Sequence, residues 1–209
     1  MQQKVSIIKT HRRVVKIMSN ELELRHLEST EIRAVADNDV LVFGGYVAKF
    51  GERSQFMGFY EEIESRAFDN TLADGGNVFA LYNHDWDKVL GSTQNGTLEL
   101  SKDDIGLRFK LTPKANTSFM NDVKELVNSG ELRGMSFGFT AKKDKWRTES
   151  GSDVRTLLEI GLKEITLTAI PAYDSSEVAI RSHESYKNEL EAHRQNEKDK
   201  LKIKLELMD

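Results

Sequence analysis

Three residues of this chain have the types that acyl-transfer chemistry needs: Ser136, His84 and Glu164. Ser136 lies in the run Arg133-Gly134-Met135-Ser136-Phe137-Gly138-Phe139. A glycine on either side lets backbone turn or approach a ligand closely. A serine held there can present its hydroxyl beside open backbone N–H groups, as a nucleophile near an oxyanion site. A strand whose glycines relieve crowding accounts for the same residues. His84 follows the apolar run 78–82 and is the only histidine between residues 31 and 182. Glu164 sits in the alternating run 162–170, where it shares a face with Leu162, Thr166 and Thr168, opposite Ile165 and Leu167. A nucleophile, a base and a carboxylate that orients the base complete a hydrolytic triad. Taken singly, His84 also fits a hydrogen-bonded strand-end histidine, and Glu164 a solvent-facing one.

The elements that must position these residues are mostly strands. Residues 41–50 read as a buried strand with a glycine bend. Residues 67–72 read as a short helix ended by Asp74-Gly75-Gly76. Runs 97–101 and 107–112 alternate with period two around Asp103-Asp104-Ile105-Gly106, which predicts a hairpin with one wet face. Phe119, Val123, Leu126 and Val127 fall on one helical face, with a cap among residues 116–118 and Gly130 suited to the end. Strand continues from Phe139 to Lys143. Two further apolar runs follow at 154–160 and 162–170, the second stopped by Pro171, and 177–181 reads as a final short strand.

Three regions result: an N-terminal extension over 1–30, a globular body over 31–182, and a charged tail over 183–209. The extension has short apolar runs at 5–8 and 14–17, and its charged stretch 21–31 reads as a solvated face or linker. His11 and His26 read as surface histidines. In the tail, 184–200 is a solvated helix or disordered, and Leu201, Ile203, Leu205 and Leu207 alternate like a strand.

Composition narrows the class. Hydrophobic residues make up 38% and charged residues 31% of 209, which suits a globular body with polar tails. A formal net charge of −4 gives no electrostatic case for nucleic acid. There is no cysteine, so disulfides and cysteine-based zinc sites are excluded. No apolar run approaches the length of a membrane span, and the N-terminus has no apolar signal core.

Gly134-Met135-Ser136-Phe137-Gly138 fits the G-x-S-x-G pattern of α/β-hydrolases, but those enzymes place the serine between strand and helix, with the histidine later. Here the serine follows a helix and runs into a strand, and the later histidines are in the tail. The chain instead resembles the prohead (capsid-maturation) proteases of tailed bacteriophages over roughly 31–181. The resemblance is carried by Phe59-Tyr60-Glu61-Glu62-Ile63, Ala67-Phe68-Asp69, Asn83-His84-Asp85 with Val89-Leu90-Gly91, and Asp104-Ile105-Gly106-Leu107. It continues through the serine block from Leu132 to Phe139 and the block from Glu164 to Tyr173, in the family's order and spacing.

The resemblance implies an α+β, strand-rich fold with an antiparallel β-barrel core and surrounding helices, similar to the herpesvirus assembly proteases. It implies a serine endopeptidase that cleaves scaffolding protein or a scaffolding segment of the major capsid protein, and also itself. Its place would be inside the prohead in the host bacterial cytoplasm. Ser136 is then the nucleophile and His84 the base. The herpesvirus relatives use a second histidine as third member; that place falls to Glu164, with Glu159 and Asp85 as alternatives. Backbone N–H groups, with Arg133 as a side-chain contributor, would hold the oxyanion. No metal or cofactor is expected, nor any nucleic-acid or membrane partner, and a homo-oligomer is. The alternative from another class is a non-catalytic capsid-assembly or scaffold adaptor.

Overall fold

The computed structural model describes residues 14–17, 21–27, 32–37, 40–114, 117–169 and 177–206. In chain order the elements are β1 (Val14–Ile17), β2 (Glu23–Leu27), β3 (Arg33–Asp37), β4 (Val40–Lys49), β5 (Tyr60–Ile63), α1 (Asp69–Ala73), β6 (Phe79–Tyr82) and β7 (Asp85–Ser92). They continue with β8 (Leu98–Lys102), β9 (Gly106–Leu111), α2 (Ser118–Asn128), β10 (Gly134–Glu149), β11 (Ser152–Thr168) and α3 (Glu177–Glu206). Residues 1–173 and 174–209 form two compact units. The predicted run at 5–8, His11, Pro171 and Leu207 lie outside the described residues.

The spine is the β10–β11 hairpin, whose strands have 16 and 17 residues. Its two-residue turn is Ser150-Gly151, at φ +52° and +84°. Positive φ at both central residues gives the turn that matches strand twist, and glycine takes the second position without a Cβ penalty. In the seven-stranded sheet, β10 pairs with β1 and β2 on its far side, and β11 pairs with β5 and β6, with β7 beyond β6. The second sheet has the order β3-β4-β9-β8. Apolar side chains of both sheets meet in one core, from Phe43, Leu107 and Leu111 to Phe137, Phe139 and Leu157, closed by Phe68 and by Met120 and Val123 of α2.

The helix signals hold at residue level. The hydroxyl of Thr117 accepts from Met120 N at 3.2 Å, and Gly130 follows the helix at φ +77°. Strand-rich α+β describes the chain. Pairing is not wholly antiparallel, however: β5 and β6 both run parallel to β11. Among the described residues the strands form two sheets, and no ring of paired strands closes.

Four expectations are corrected. The run 154–160 and the run from 162 as far as Thr168 are one strand, bridged at Gly161, where a Cβ would lie 2.8 Å from Thr140 Oγ1. The glycine between the two runs thus marks a close approach to the neighbouring strand. The stretch 21–31 is not simply solvated: residues 23–27 are a strand that buries Glu23 and Arg25. The expected strand at 177–181 and the alternation from Leu201 both fall in α3. This 30-residue helix is rich in Glu and Lys, both strong helix formers. Among the described residues no strand pairs with this segment, and propensity decides.

Candidate active site

Asn83 and His84 form the two-residue turn between β6 and β7, at φ +50° and +56°. Asparagine tolerates this left-handed region; histidine does so at a cost of about 1–2 kcal/mol. Asn83 N donates to Leu167 O at 3.0 Å and ties the turn to β11. His84 Nδ1 and Glu164 Oε1 are 2.8 Å apart. An ionised carboxylate only accepts, so Nδ1 carries the hydrogen and Nε2 of a neutral ring is the acceptor. The other carboxylate oxygen, Oε2, accepts from Thr166 Oγ1 at 2.5 Å. A Cβ on Gly138, directly across from Glu164, would lie 2.5 Å from Oε1. Gly138 leaves the room that the carboxylate fills.

Ser136 pairs with Thr166 on β11 and with His26 on β2. Directly opposed residues point to the same face of a sheet, as do residues two apart. Ser136, Thr166 and Glu164 therefore share one face, and His84 reaches it through its bond to Glu164. Ser136 is fully buried, and its Oγ donates to the backbone carbonyl of Arg25 at 2.8 Å. A hydroxyl has one proton, so in this conformation it is given to β2. His84 Nε2 has no hydrogen-bond partner among the described residues.

What holds β2 in place is a buried charge cluster. Arg25 bonds Glu61 through Nε at 2.6 Å and a terminal nitrogen at 2.9 Å, and Glu23 at 2.7 Å. Arg155, with no exposed surface, bonds Asp144 at 2.7 Å, Glu23 at 2.8 and 3.0 Å, and Glu61 at 3.1 Å. Burial pushes the Glu23 carboxyl up, but Arg155 and then Arg25 together outweigh it and hold the group below its usual range. At Asp144 burial wins over the attraction of Arg155 and the carboxyl is raised. Three carboxylates face two guanidiniums, and the surplus falls on Asp144, whose Oδ1 has no partner among the described residues.

The alternatives to Glu164 are engaged elsewhere. Glu159 pairs with Lys143 at 3.0 Å and accepts from Asn70 at 2.9 Å. Asp85 caps Asp87 N at 2.9 Å and sits 3.7 Å from Lys88. Arg133 is exposed, one residue before β10. His26 is half-buried beside the serine, with its ring where a Cβ of Gly134 would be, 2.8 Å from Cε1. It is not the plain surface histidine expected. Two groups had gone unread. Thr166 was legible as a residue on the face of Glu164, but not as its donor. The carbonyl of Arg25 is a backbone group and has no sequence signature. Among the described residues no group of three or more His, Asp or Glu side chains is arranged to hold a metal, and no helix is long and apolar enough to cross a membrane.

The profile of the caudovirus prohead serine proteases matches residues 28–190. The chain belongs to that family. Among its relatives is the prohead protease of Enterobacteria phage HK97, 28% identical over 156 residues. The match covers 73% of this chain and 65% of the HK97 protein, less than two thirds of its length. No solved structure matches this family member. The profile includes Ser136, His84 and Glu164, whereas β2 lies before its first residue.

Proposed function

We propose that this chain is a serine endopeptidase of the immature phage capsid, cutting scaffolding protein or a scaffolding segment of the major capsid protein, and itself. The observation that carries the reading is the His84–Glu164 bond on the sheet face that also bears Ser136, within a family of prohead serine proteases. His84 Nε2 takes the hydroxyl proton as Ser136 Oγ attacks the scissile carbonyl carbon, and the carbonyl oxygen becomes an oxyanion. The intermediate collapses by expelling the amine, which receives that proton from His84, and an acyl-enzyme remains. Water then loses a proton to His84 and attacks the ester; as the acid leaves, His84 returns that proton to Ser136 Oγ and the free enzyme is restored. Glu164 holds the imidazole tautomer and stabilises the imidazolium. The reaction takes place inside the prohead in the host cytoplasm, and the barrel-like core of the herpesvirus assembly proteases is the fold it resembles.

The burial of Ser136 favours a second reading, a non-catalytic assembly adaptor. Co-expression with the neighbouring capsid protein, followed by mass spectrometry, separates the two. Fragments that vanish with a folded Ser136→Ala variant are expected. Equal cleavage by that variant would remove Ser136 from the mechanism, and no cleavage by either chain would favour the adaptor.

A further inference from the structure

Segment β2 sits where a peptide would have to sit to be cut. It runs antiparallel to β10 in the register Phe139↔Glu23, Gly138↔Leu24, Phe137↔Arg25, Ser136↔His26. Main-chain pairing with a strand edge is a general way to bind an extended peptide whatever its sequence. The carbonyl that meets Ser136 Oγ, at 2.8 Å, is that of Arg25. The Arg25 side chain is gripped by both oxygens of Glu61 and lies 5.4 Å from the centre of the Phe139 ring. A bidentate carboxylate fork selects a guanidinium by geometry as well as charge.

Two features mark this as a seat and not a fixed part of the core. First, β2 lies outside the region matched by the family profile, while Glu61 and Arg155, which bond its Arg25 and Glu23, lie inside. Second, the seat is charged. A vacated apolar seat would expose oil to water, whereas carboxylates and a guanidinium regain hydration when uncovered. An open cavity of about 90 Å³ also lies beside Arg25, His26, Glu61 and Phe137.

We propose that β2 occupies the substrate's place: the site takes an extended peptide laid antiparallel along residues 134–139, with a basic residue supplying the scissile carbonyl and Glu61 selecting its side chain. This rests on the serine-peptidase reading of Ser136. In the conformation described, the chain competes with its own substrate. The Ser136 proton is held by the Arg25 carbonyl, and His84 cannot take it until β2 leaves.

The test uses the full chain and an Arg25→Glu variant, which sets a carboxylate against Glu23 and Glu61 and expels β2. Labelling of Ser136 by a fluorophosphonate is expected to be about tenfold faster or more in the variant, the scale of breaking a buried charge pair. Hydrogen exchange at 134–139 should rise with it. A peptide of sequence 21–29 should restore protection and slow labelling, and the same peptide carrying Arg25→Glu should do neither. A folded variant with unchanged labelling and exchange overturns the seat and leaves the peptidase reading standing. Failure of both chains to label, with exchange showing β2 displaced, overturns the peptidase reading itself. If the variant does not fold, peptide substrates decide: with the wild-type chain, replacing Arg or Lys before the scissile bond by Glu should lower kcat/KM by about tenfold or more. Equal turnover overturns the role of Glu61.

Discussion

At the scale of single residues, the candidate site is a chain of dependence that ends at one imidazole nitrogen. Nε2 of His84 is an acceptor because Nδ1 faces Glu164, and Glu164 is fixed because Thr166 holds its second oxygen and Gly138 leaves it space. The members should therefore differ in how much they cost when removed. His84→Ala deletes the base and is expected to lower kcat by about a millionfold, whereas Glu164→Gln leaves a base in the wrong tautomer and costs roughly ten-thousandfold. Comparable losses, measured on one peptide substrate, would mean that Glu164 does more than orient. Thr166→Val removes only a hydroxyl bound to a carboxylate, worth about 1.5–3 kcal/mol, so kcat should fall roughly ten- to hundredfold with KM unchanged. Thr166→Ser should recover most of it, and a serine variant as poor as valine would assign the effect to packing. Serine, histidine and glutamate were legible because their types and order carry chemistry. The hydrogen bond from Thr166 was not, since alternation gives a shared face but no side-chain rotamer.

The elements were legible where a single rule governs them. The hairpin β8–β9 alternates, α2 has a cap and an apolar face, and both appear where the pattern puts them. Strands β2 and β5 were not legible, because Glu-Leu-Arg-His-Leu and Tyr-Glu-Glu-Ile look solvated, and only their meeting allows the charges to be buried. Strand β7 hid for the opposite reason: its first half, from Asp85 to Lys88, faces water. The charge cluster joining β2, β5, β10 and β11 has a consequence for pH. Glu23, held below its usual range, contributes stability that is present above its unfolded value and is lost as pH falls through its lower folded value. Asp144 is raised, so the sign reverses: its charge costs stability at neutral pH, and the cost is relieved as pH falls through its folded value. On mild acidification Asp144 should take a proton before Glu23 does, which removes the surplus negative charge of the cluster. Asp144→Asn should thus be more stable than wild type at neutral pH, with the difference shrinking towards the ordinary carboxylate range. Thermal unfolding of both chains across pH gives that difference directly, since other carboxylates titrate alike in each. A constant difference would show that Asp144 binds no more protons folded than unfolded, so that burial does not raise it.

At the scale of the whole molecule, the chain divides its composition as it divides its structure. Apolar residues are concentrated in the sheets and α2, and that patterning made the strand-rich α+β class legible. The division into two open sheets and the parallel pairings of β5 and β6 were not, because pairing partners far apart in sequence leave no local mark. The second unit is built on another principle. From Glu191 to Lys200 every side chain of α3 is exposed, and Leu201 and Ile203 are 62% and 58% exposed. Such a helix buries too little apolar area to offset the entropy of ordering its residues, and gains mainly from propensity and pairs such as Gln195 Nε2 to Asp199 Oδ1 at 2.9 Å. Its last turns should therefore melt independently of the sheets. Deleting 191–209 is expected to leave the cooperative melting temperature of the body within about 2 °C, the shift that a few tenths of a kcal/mol would give a domain of this size. Helical circular dichroism should fall by the share of the residues removed. If deletion instead lowers the melting temperature steeply, the exposed face is covered in solution, and the sedimentation of the full chain should then exceed that of a monomer.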